Sequence, residues 1–280
     1  MSKGFVVLAQ NSEVNYVRLA YALALSLKIT QPSANISIIT NDLVLDEYTD
    51  VFDNIIPIPW SDSAIDSAWK IENRWKIYHA SPYDETIVLD VDMLVFRDLT
   101  PFWEIFQNYE LYITGKVLDY RNNVITSDYY RKTFTENNLP NLYTGLHYFK
   151  KCNFSKQFYE WMELITNNWE LFYGKYVSNQ YPGRASMDVT AALTSKILDC
   201  ESKITNYNFD SVSFVHMKPM IQGWKAPTDT WRQAVGAYFN DNCELKIGNF
   251  RQYSIFHYTE KEFLTDQMIK KMENKWTQMK

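Results

Sequence analysis

The feature that most restricts the fold is an alternation, through the first third of the chain, of short unbroken apolar runs with segments of helical period. Phe5-Val6-Val7-Leu8-Ala9, Ile36-Ser37-Ile38-Ile39, Asn54-Ile55-Ile56-Pro57 and Thr86-Ile87-Val88-Leu89 read as strands. Val14 to Ile29, ended near Pro32, and Ala68 to Ala80, ended at Pro82, read as helices; in the second, Trp69, Asn73, Lys76 and Ala80 fall at helical spacing. Strands that are apolar throughout are covered on both faces, and strands separated by helices pair in parallel. The expected fold is therefore α/β, with a mostly parallel central sheet flanked by helices and ligands bound beyond the carboxyl ends of its strands. The second half is less regular. Strands are expected from Leu111 to Thr114 and Leu146 to Phe149, helices from Phe154 to Asn167 and Asp188 to Leu198, and short β elements around Phe214 and Ile255.

Composition narrows the function classes. With 280 residues, 46% hydrophobic and 22% charged, the chain is neither disordered nor fibrous. Its 28 Lys+Arg against 33 Asp+Glu give a net charge of −5, which argues against a chain-wide clamp for nucleic acid. Aromatics reach 16%; most fill the core, and some are expected to line a groove for a flat or ring-shaped ligand. Cys152, Cys200 and Cys243 are dispersed and in no metal-ligand spacing, so a reducing compartment and a cytoplasmic location are expected. The opening MSKGFVVLAQ runs into a strand without the pattern of a signal peptide. The longest apolar stretch, Leu19 to Leu27, is far short of the ~20 residues that span a bilayer and reads as a buried helix. At 263–280, Leu264, Met268, Ile269, Met272, Trp276 and Met279 share one helical face, with Lys270, Lys271, Lys275 and Lys280 off it. That amphipathic helix is expected to dock on the body, the alternative being peripheral contact with a membrane. No obligate protein partner is indicated.

The segment richest in chemistry is Thr86-Ile87-Val88-Leu89-Asp90-Val91-Asp92-Met93-Leu94-Val95, where two carboxylates interrupt an apolar run. Burying unpaired carboxylates is expensive, so they require a cation, a dense set of donors or exposure at a strand end. In extended chain, residues i and i+2 point to the same side, so Asp90 and Asp92 can face one point. A divalent cation between them would relieve their repulsion, and hard oxygen ligands suit magnesium or manganese. A cation so held could grip a diphosphate and stabilise it as a leaving group. The bland alternative is a strand-end cap that starts a turn.

Leu89-Asp90-Val91-Asp92-Met93-Leu94-Val95 resembles the Leu-Asp-x-Asp-x-Leu-Val metal motif of GT-A-fold glycosyltransferases. The retaining family-8 type, which includes bacterial lipopolysaccharide galactosyltransferases and glycogenin, is the most similar. The resemblance is patchy but ordered, from about Phe5 to Lys261. Phe5 to Tyr16 resembles the first strand and loop that hold the uridine, here with Ala9, Gln10, Asn11 and Tyr16. Arg74 falls where the family keeps an arginine near the nucleotide sugar. Tyr143-Thr144-Gly145-Leu146 resembles its Asn-Ala-Gly-Val turn without the Asn, and Ser186-Met187-Asp188-Val189 its Asp-Gln-Asp segment with one acid kept. Tyr207-Asn208-Phe209 matches a Tyr-Asn signature. Ile255-Phe256-His257-Tyr258-Thr259-Glu260-Lys261 resembles the His-Tyr/Phe-x-Gly-x-x-Lys-Pro-Trp stretch, with Gly and Pro-Trp absent. His216-Met217-Lys218-Pro219, followed by Gly223-Trp224, is a rival for that stretch.

The resemblance implies one GT-A, Rossmann-like domain over 1–262, with a nucleotide-sugar half at about 1–115 and a variable acceptor half at about 116–262. It implies a nucleotide diphosphate sugar, expected to be a UDP-sugar, as donor. Asp90, Asp92 and His257, or His216 in its place, would hold manganese or magnesium, with Val91 between the two acids. Ala9, Gln10, Asn11, Tyr16, Arg74, Thr144, Gly145 and one of Lys218 or Lys261 would contact the donor. Asp188 would sit by the reacting sugar, or merely cap the helix that follows it, and Asp119 would lie on the acceptor side; His79 and His147 are expected to be structural. The implied acceptor is a glycan or lipid-linked saccharide, with a protein tyrosine or a modified base of phage DNA as alternatives. The location would then be the cytoplasm, the inner membrane face or a host cytoplasm. Two readings of other classes compete: a haloacid-dehalogenase-like phosphatase, which also uses Asp-x-Asp after a strand, and a non-catalytic sugar-binding module.

Overall fold

The structure is a computed structural model that describes residues 1–67, 70–126, 128–178, 185–208, 212–221, 224–225 and 230–280. The first strands in the chain are β1 (Lys3–Leu8), β2 (Ile36–Ile39), β3 (Asn54–Ile56), β4 (Glu85–Leu89), β5 (Met93–Val95), β6 (Leu111–Thr114) and β7 (Tyr143–Lys150). Among the described residues all but β5 form one sheet in the order β3-β2-β1-β4-β7-β6. β1, β2, β3 and β4 are parallel, and β7 runs antiparallel between β4 and β6. The α/β class with a mostly parallel sheet is thus the one expected. Later come β8 (Phe214–His216), β9 (Met220–Ile221), β10 (Trp224–Lys225), β11 (Ala237–Phe239), β12 (Leu245–Ile247), β13 (Phe250–Arg251) and β14 (Ile255–His257). β9 and β10 pair antiparallel, β11 to β13 form a meander, and β5-β14-β8 a small second sheet.

The helices are α1 (Tyr16–Thr30), α2 (Asp46–Thr49), α3 (Ile77–Ala80), α4 (Thr100–Phe106), α5 (Lys132–Glu136), α6 (Asn153–Asn167), α7 (Trp169–Tyr176), α8 (Met187–Ile197), α9 (Glu201–Ile204) and α10 (Asp266–Met279). The unbroken apolar strands have the reason anticipated. In β1, Phe5 and Val7 enter the core beneath α1, while Val6 and Leu8 enter the core beneath α6 and α8. α1 begins where the Asn15 side chain accepts the Arg18 N–H at 2.9 Å, and its apolar run from Leu19 to Leu27 is buried throughout. That burial on every side follows from α1 lying between the sheet and α10, whose Met268, Ile269 and Met272 are buried. Arg18 to Asp266 at 2.5 Å and Tyr21 Oη to Glu273 at 3.1 Å fix that contact. The C-terminal amphipathic helix therefore docks on the body, though Met279 is left exposed. No described helix is long and apolar enough to cross a membrane.

The helix expected from Ala68 to Ala80 is corrected. Ala68 and Trp69 lie outside the described residues, as do Phe209 and Gly223 of the other segments. Helical structure begins at a 3-10 turn, Arg74–Lys76, that runs into α3. Two tertiary effects override the local period. Lys70 adopts φ +53° while its ammonium binds the carbonyls of Ala64 and Ile65. The buried Asn73 uses its carboxamide on Asp62, Gln10 and the Ser63 N–H. These bonds hold residues 61–67 and 70–73 out of helical structure, against the end of β1.

Candidate functional site

The strand order sets the place. From β1 the chain moves outward to β2 and β3, then returns to β4 on the other side of β1. The crevice beyond the carboxyl ends of β1 and β4 is a topological switch point, where open α/β sheets take ligands. A cleft of about 470 Å³ opens there, lined by Leu8 and Gln10 from β1 and its loop, by Asp90, Val91 and Asp92, and by Asp188 of α8. His216, Lys218, His257, Thr259 and Lys261 close the side formed by β8 and β14.

Asp90-Val91-Asp92 does not continue the strand. β4 stops at Leu89, and the three residues form the bend into β5 of the small sheet. The bend is pinned by Asp90 N–H to Gly145 O at 2.9 Å and by Tyr258 N–H to Asp92 O at 3.1 Å. Gly145 allows close approach: a Cβ there would lie 2.9 Å from Met93 Cε and 3.1 Å from Asp90 Oδ2, and both side-chain ends would have to give way. The carboxylates still converge. Asp90, Asp92 and His257 each offer one ligand atom, all within 4.8 Å of one another. β14 delivers His257, since its pairing sets His257 opposite Met93 on one side and His216 on the other.

Cations balance the acids. Arg74 Nη1 donates to Asp90 Oδ1 at 2.5 Å. His257 Nε2 lies 3.0 Å from Asp92 Oδ2, and the Lys261 ammonium donates to the same oxygen. Burial alone would raise the Asp92 pKa; His257 and Lys261 outweigh it and hold the carboxyl well below the usual carboxylate range. Burial would lower Arg74 and Lys261, but the facing acids raise both. Two hard oxygens and one imidazole nitrogen suit manganese better than magnesium, so the donor set fits a divalent ion. His216 lies behind His257, their Nδ1 atoms 3.1 Å apart, so it is the partner of His257 rather than its rival at the carboxylates.

The remaining expected residues divide. Gln10, Tyr16, Arg74, Val91, Thr144, Asp188, Lys218 and Lys261 all line the cleft. Ala9 is fully buried, its N–H bonded to Ile39 O at 3.0 Å. Asn11 accepts the Val17 N–H at 3.1 Å and donates its own to Asp42 at 2.6 Å, which shapes the loop into α1. Asp119 is 2% exposed and closes a turn by accepting the N–H groups of Arg121 and Asn123 at 2.8 and 2.9 Å, outside the cleft. Tyr207 lies elsewhere too, its Oη donating to Glu201 at 2.8 Å. His79 packs between aromatic rings away from the cleft. Asp188 does not cap α8, because Ser186 holds that position. Its Oδ1 accepts the N–H and Oγ1 of Thr144 at 2.8 and 2.6 Å, and its Oδ2 accepts Arg131 Nη1 at 2.6 Å.

Sequence reasoning missed Arg131. It is 6% exposed and lies 3.7 Å from the Phe134 ring centre and 3.9 Å from that of Tyr143, with Nε donating to Asn141 at 2.7 Å. It also missed Asp62, whose Oδ1 joins Gln10 and Asn73. Thr259, where the expected glycine is absent, takes φ +55° and holds it with a 2.6 Å bond from Oγ1 to Met217 O.

His147, on β7 behind the cleft, is structural as expected and yields a first prediction. Its ring nitrogens meet Thr144 O at 2.7 Å and Tyr159 Oη at 2.8 Å, and burial pulls its pKa from 6.5 to about 4. Between those values the unfolded chain binds a proton that the folded chain refuses. Stability therefore falls as pH drops from 6.5 to about 4, by about 3 kcal/mol from this residue, and levels off below. Urea midpoints across the window should slope in the wild type and flatten in His147→Gln; equal slopes would assign the effect to other groups.

No protein-family model matches the chain, and no curated protein does. Solved structures resemble it at low identity. The glycosyltransferase GlyE of Streptococcus pneumoniae TIGR4 is 15% identical, matching 74% of this chain at a TM-score of 0.45; this chain spans only 46% of GlyE. Mouse xyloside xylosyltransferase 1 is 11% identical over 74% of this chain and 84% of its own, at a TM-score of 0.47. The galactosyltransferase LgtC, solved with donor and acceptor sugar analogues, is 15% identical over 96% of this chain and 95% of its own, at 0.39. These are loose likenesses of shape, and the side chains of the cleft define its chemistry.

Proposed function

We propose that this protein is a metal-dependent glycosyltransferase that moves a sugar from a nucleotide diphosphate sugar, a UDP-sugar in the simplest case, to an acceptor hydroxyl with retention. A glycan or lipid-linked saccharide is the acceptor. The observation that carries the reading is the convergence of Asp90, Asp92 and His257 at the sheet's switch point, with Arg74 and Lys261 beside them. Asp90, Asp92 and His257 would hold manganese, which when bound supplies charge to offset that building on the diphosphate as the sugar–phosphate bond breaks. Arg74, Lys218 and Lys261 present cationic groups to the same cleft for the phosphate oxygens. Gln10 and Tyr16 line its β1 end, where the nucleoside binds in this reading.

Asp188 takes a restricted role. Both its oxygens are engaged, and although burial would raise its pKa, Arg131 and Thr144 lower it. It is a fixed negative charge on the cleft wall, suited to oppose positive charge developing on a sugar ring and unsuited to donate a proton. The decisive experiment is calorimetry of UDP with and without manganese, followed by UDP release from a panel of nucleotide sugars. Manganese-dependent binding and slow release from one sugar support the reading; no UDP binding in either condition sinks it.

Arg74 gives a test with two opposite signs. Its guanidinium occupies one oxygen of Asp90, a carboxylate that would hold the metal, and so competes with the ion for that group's charge. Arg74→Gln should bind manganese about tenfold more tightly in the absence of nucleotide, yet bind UDP about tenfold more weakly at saturating manganese. Calorimetry of each ligand separates the two. If both affinities fall together, Arg74 merely supports Asp90.

A further inference from the structure

The turn Arg74–Lys76 serves two cavities. Arg74 lines the carboxylate cleft, while Trp75 and Lys76 line a different cavity of about 420 Å³ that shares no residue with it. The second cavity is dominated by Trp60, which is 63% exposed. An indole left in water is an unfavourable arrangement unless something covers it. Here the fold holds it out. Trp60 and Ser61 adopt φ +56° and +77°, a region that bulky side chains seldom enter. The turn is locked from behind by Lys76, 2% exposed, whose ammonium donates to Ser61 O at 2.7 Å and Ser63 Oγ at 2.8 Å. Trp75 backs the exposed indole nearly in parallel, with ring centres 5.7 Å apart and planes at 17°, and His79 meets it edge-on at 4.9 Å. Backbone strain that presents an aromatic face in this way points to a ligand.

The rim states the ligand's chemistry. Glu163 and Asn167 line the cavity, and neither side chain has a hydrogen-bond partner among the described residues. A flat aromatic face accepts the C–H face of a pyranose ring, while a carboxylate that lies in the field of the Lys76 ammonium but has no hydrogen bond among the described residues, and a carboxamide, accept and donate to its hydroxyls. An organic cation fits less well. The two indoles are parallel rather than box-like, and Lys76 already lies 5.6 Å from the Trp75 ring centre. We infer that the Trp60 shelf is a carbohydrate-binding site, distinct from the metal cleft, that takes pyranose units of a neutral glycan. It would hold a sugar chain beside the cleft whether or not the cleft performs transfer.

The test is saturation-transfer NMR without nucleotide or metal, using methyl β-D-glucopyranoside, methyl β-D-galactopyranoside, maltotriose and cellotriose as probes. At least one probe is expected to receive saturation from the protein's aromatic protons with millimolar affinity. Trp60→Ala should weaken it by about tenfold or more, and Glu163→Ala by several-fold. Asp92→Asn should leave it unchanged, because Asp92 lines only the cleft. Transfer that survives Trp60→Ala intact, or no transfer from any probe, overturns the inference. So does displacement of the bound sugar by choline, which would make the shelf a cation site.

Discussion

Asp92→Asn is expected to lower manganese-dependent release of UDP from the donor sugar by about a thousandfold in kcat/KM, roughly 4 kcal/mol of lost transition-state stabilisation. Asp92 is 6% exposed, and its Oδ2 is the shared acceptor of His257 Nε2 and the Lys261 ammonium. An amide keeps the shape but removes the charge, and one of its two ends is a donor that would face other donors. A metal held as proposed would lose its most enclosed ligand, and Lys261 loses the group that draws it into the cleft. Manganese affinity should fall alongside the rate, so calorimetry of the metal alone gives a readout independent of turnover. Because Lys261 is partly exposed and can swing to water, the variant should remain folded, which circular dichroism checks. A variant within tenfold of wild type, with unchanged dependence on manganese, would remove Asp92 from the site.

The parts of this site that were legible in the sequence are those whose signal is local. β1, β2 and β4 could be placed because burial on both faces demands unbroken apolar runs, and two acids interrupting such a run demand a cation, a set of donors or exposure at the strand end. His257 was legible chiefly through the resemblance carried by Ile255 to Lys261, helped by its place at the end of an apolar run, a place that His216 at the end of β8 shares. The failures lie where tertiary bonds decide. Residues 70–73 carry helical spacing, yet Asn73 is drawn into a bond network with Asp62 and Gln10, which come from other loops. Asp188 has the sequence position of a helix cap, but Thr144, 44 residues earlier, and Arg131, 57 residues earlier, claim its oxygens. Asp119, placed by the resemblance on the acceptor side, closes its own turn through backbone N–H groups, a role that nothing in its immediate sequence signals. Arg131 had no local signal. It lies in the polar, aromatic stretch Tyr129-Tyr130-Arg131-Lys132, and only the fold shows that it alone of the four is buried.

That burial makes Arg131→Met the substitution with the largest expected cost in stability, about 4 kcal/mol, on the order of 10 °C in Tm. The guanidinium is sandwiched between Phe134 and Tyr143, donates to Asn141 and the Leu142 carbonyl, and neutralises Asp188. Methionine can fill the slot between the rings, so the loss is chiefly electrostatic: Asp188 is left on the cleft wall without its counter-ion. The sign of the pH dependence follows. In the wild type, burial works to raise the Asp188 pKa, and Arg131 with Thr144 lowers it below 3.8. Its contribution is therefore fully present above that value and is lost as pH falls through the depressed folded pKa. Arg131→Met lacks the contribution already, so the stability gap between variant and wild type should narrow as the solution is acidified below pH ~4. Neutralising the orphaned acid should also rescue: Arg131→Met with Asp188→Asn should be more stable than Arg131→Met alone, because an unpaired charge on a side chain only 26% exposed costs more than a missing pair. Urea denaturation of the wild type, Arg131→Met, Asp188→Asn and the double variant, at neutral pH and near pH 3, measures all of this. Additive losses in the double variant, or a single-variant cost under ~1 kcal/mol, would mean that Asp188 is solvated well enough to stand alone. Rescue of stability without rescue of UDP release would instead assign the Arg131–Asp188 pair to holding a charge in the cleft that folding itself does not require.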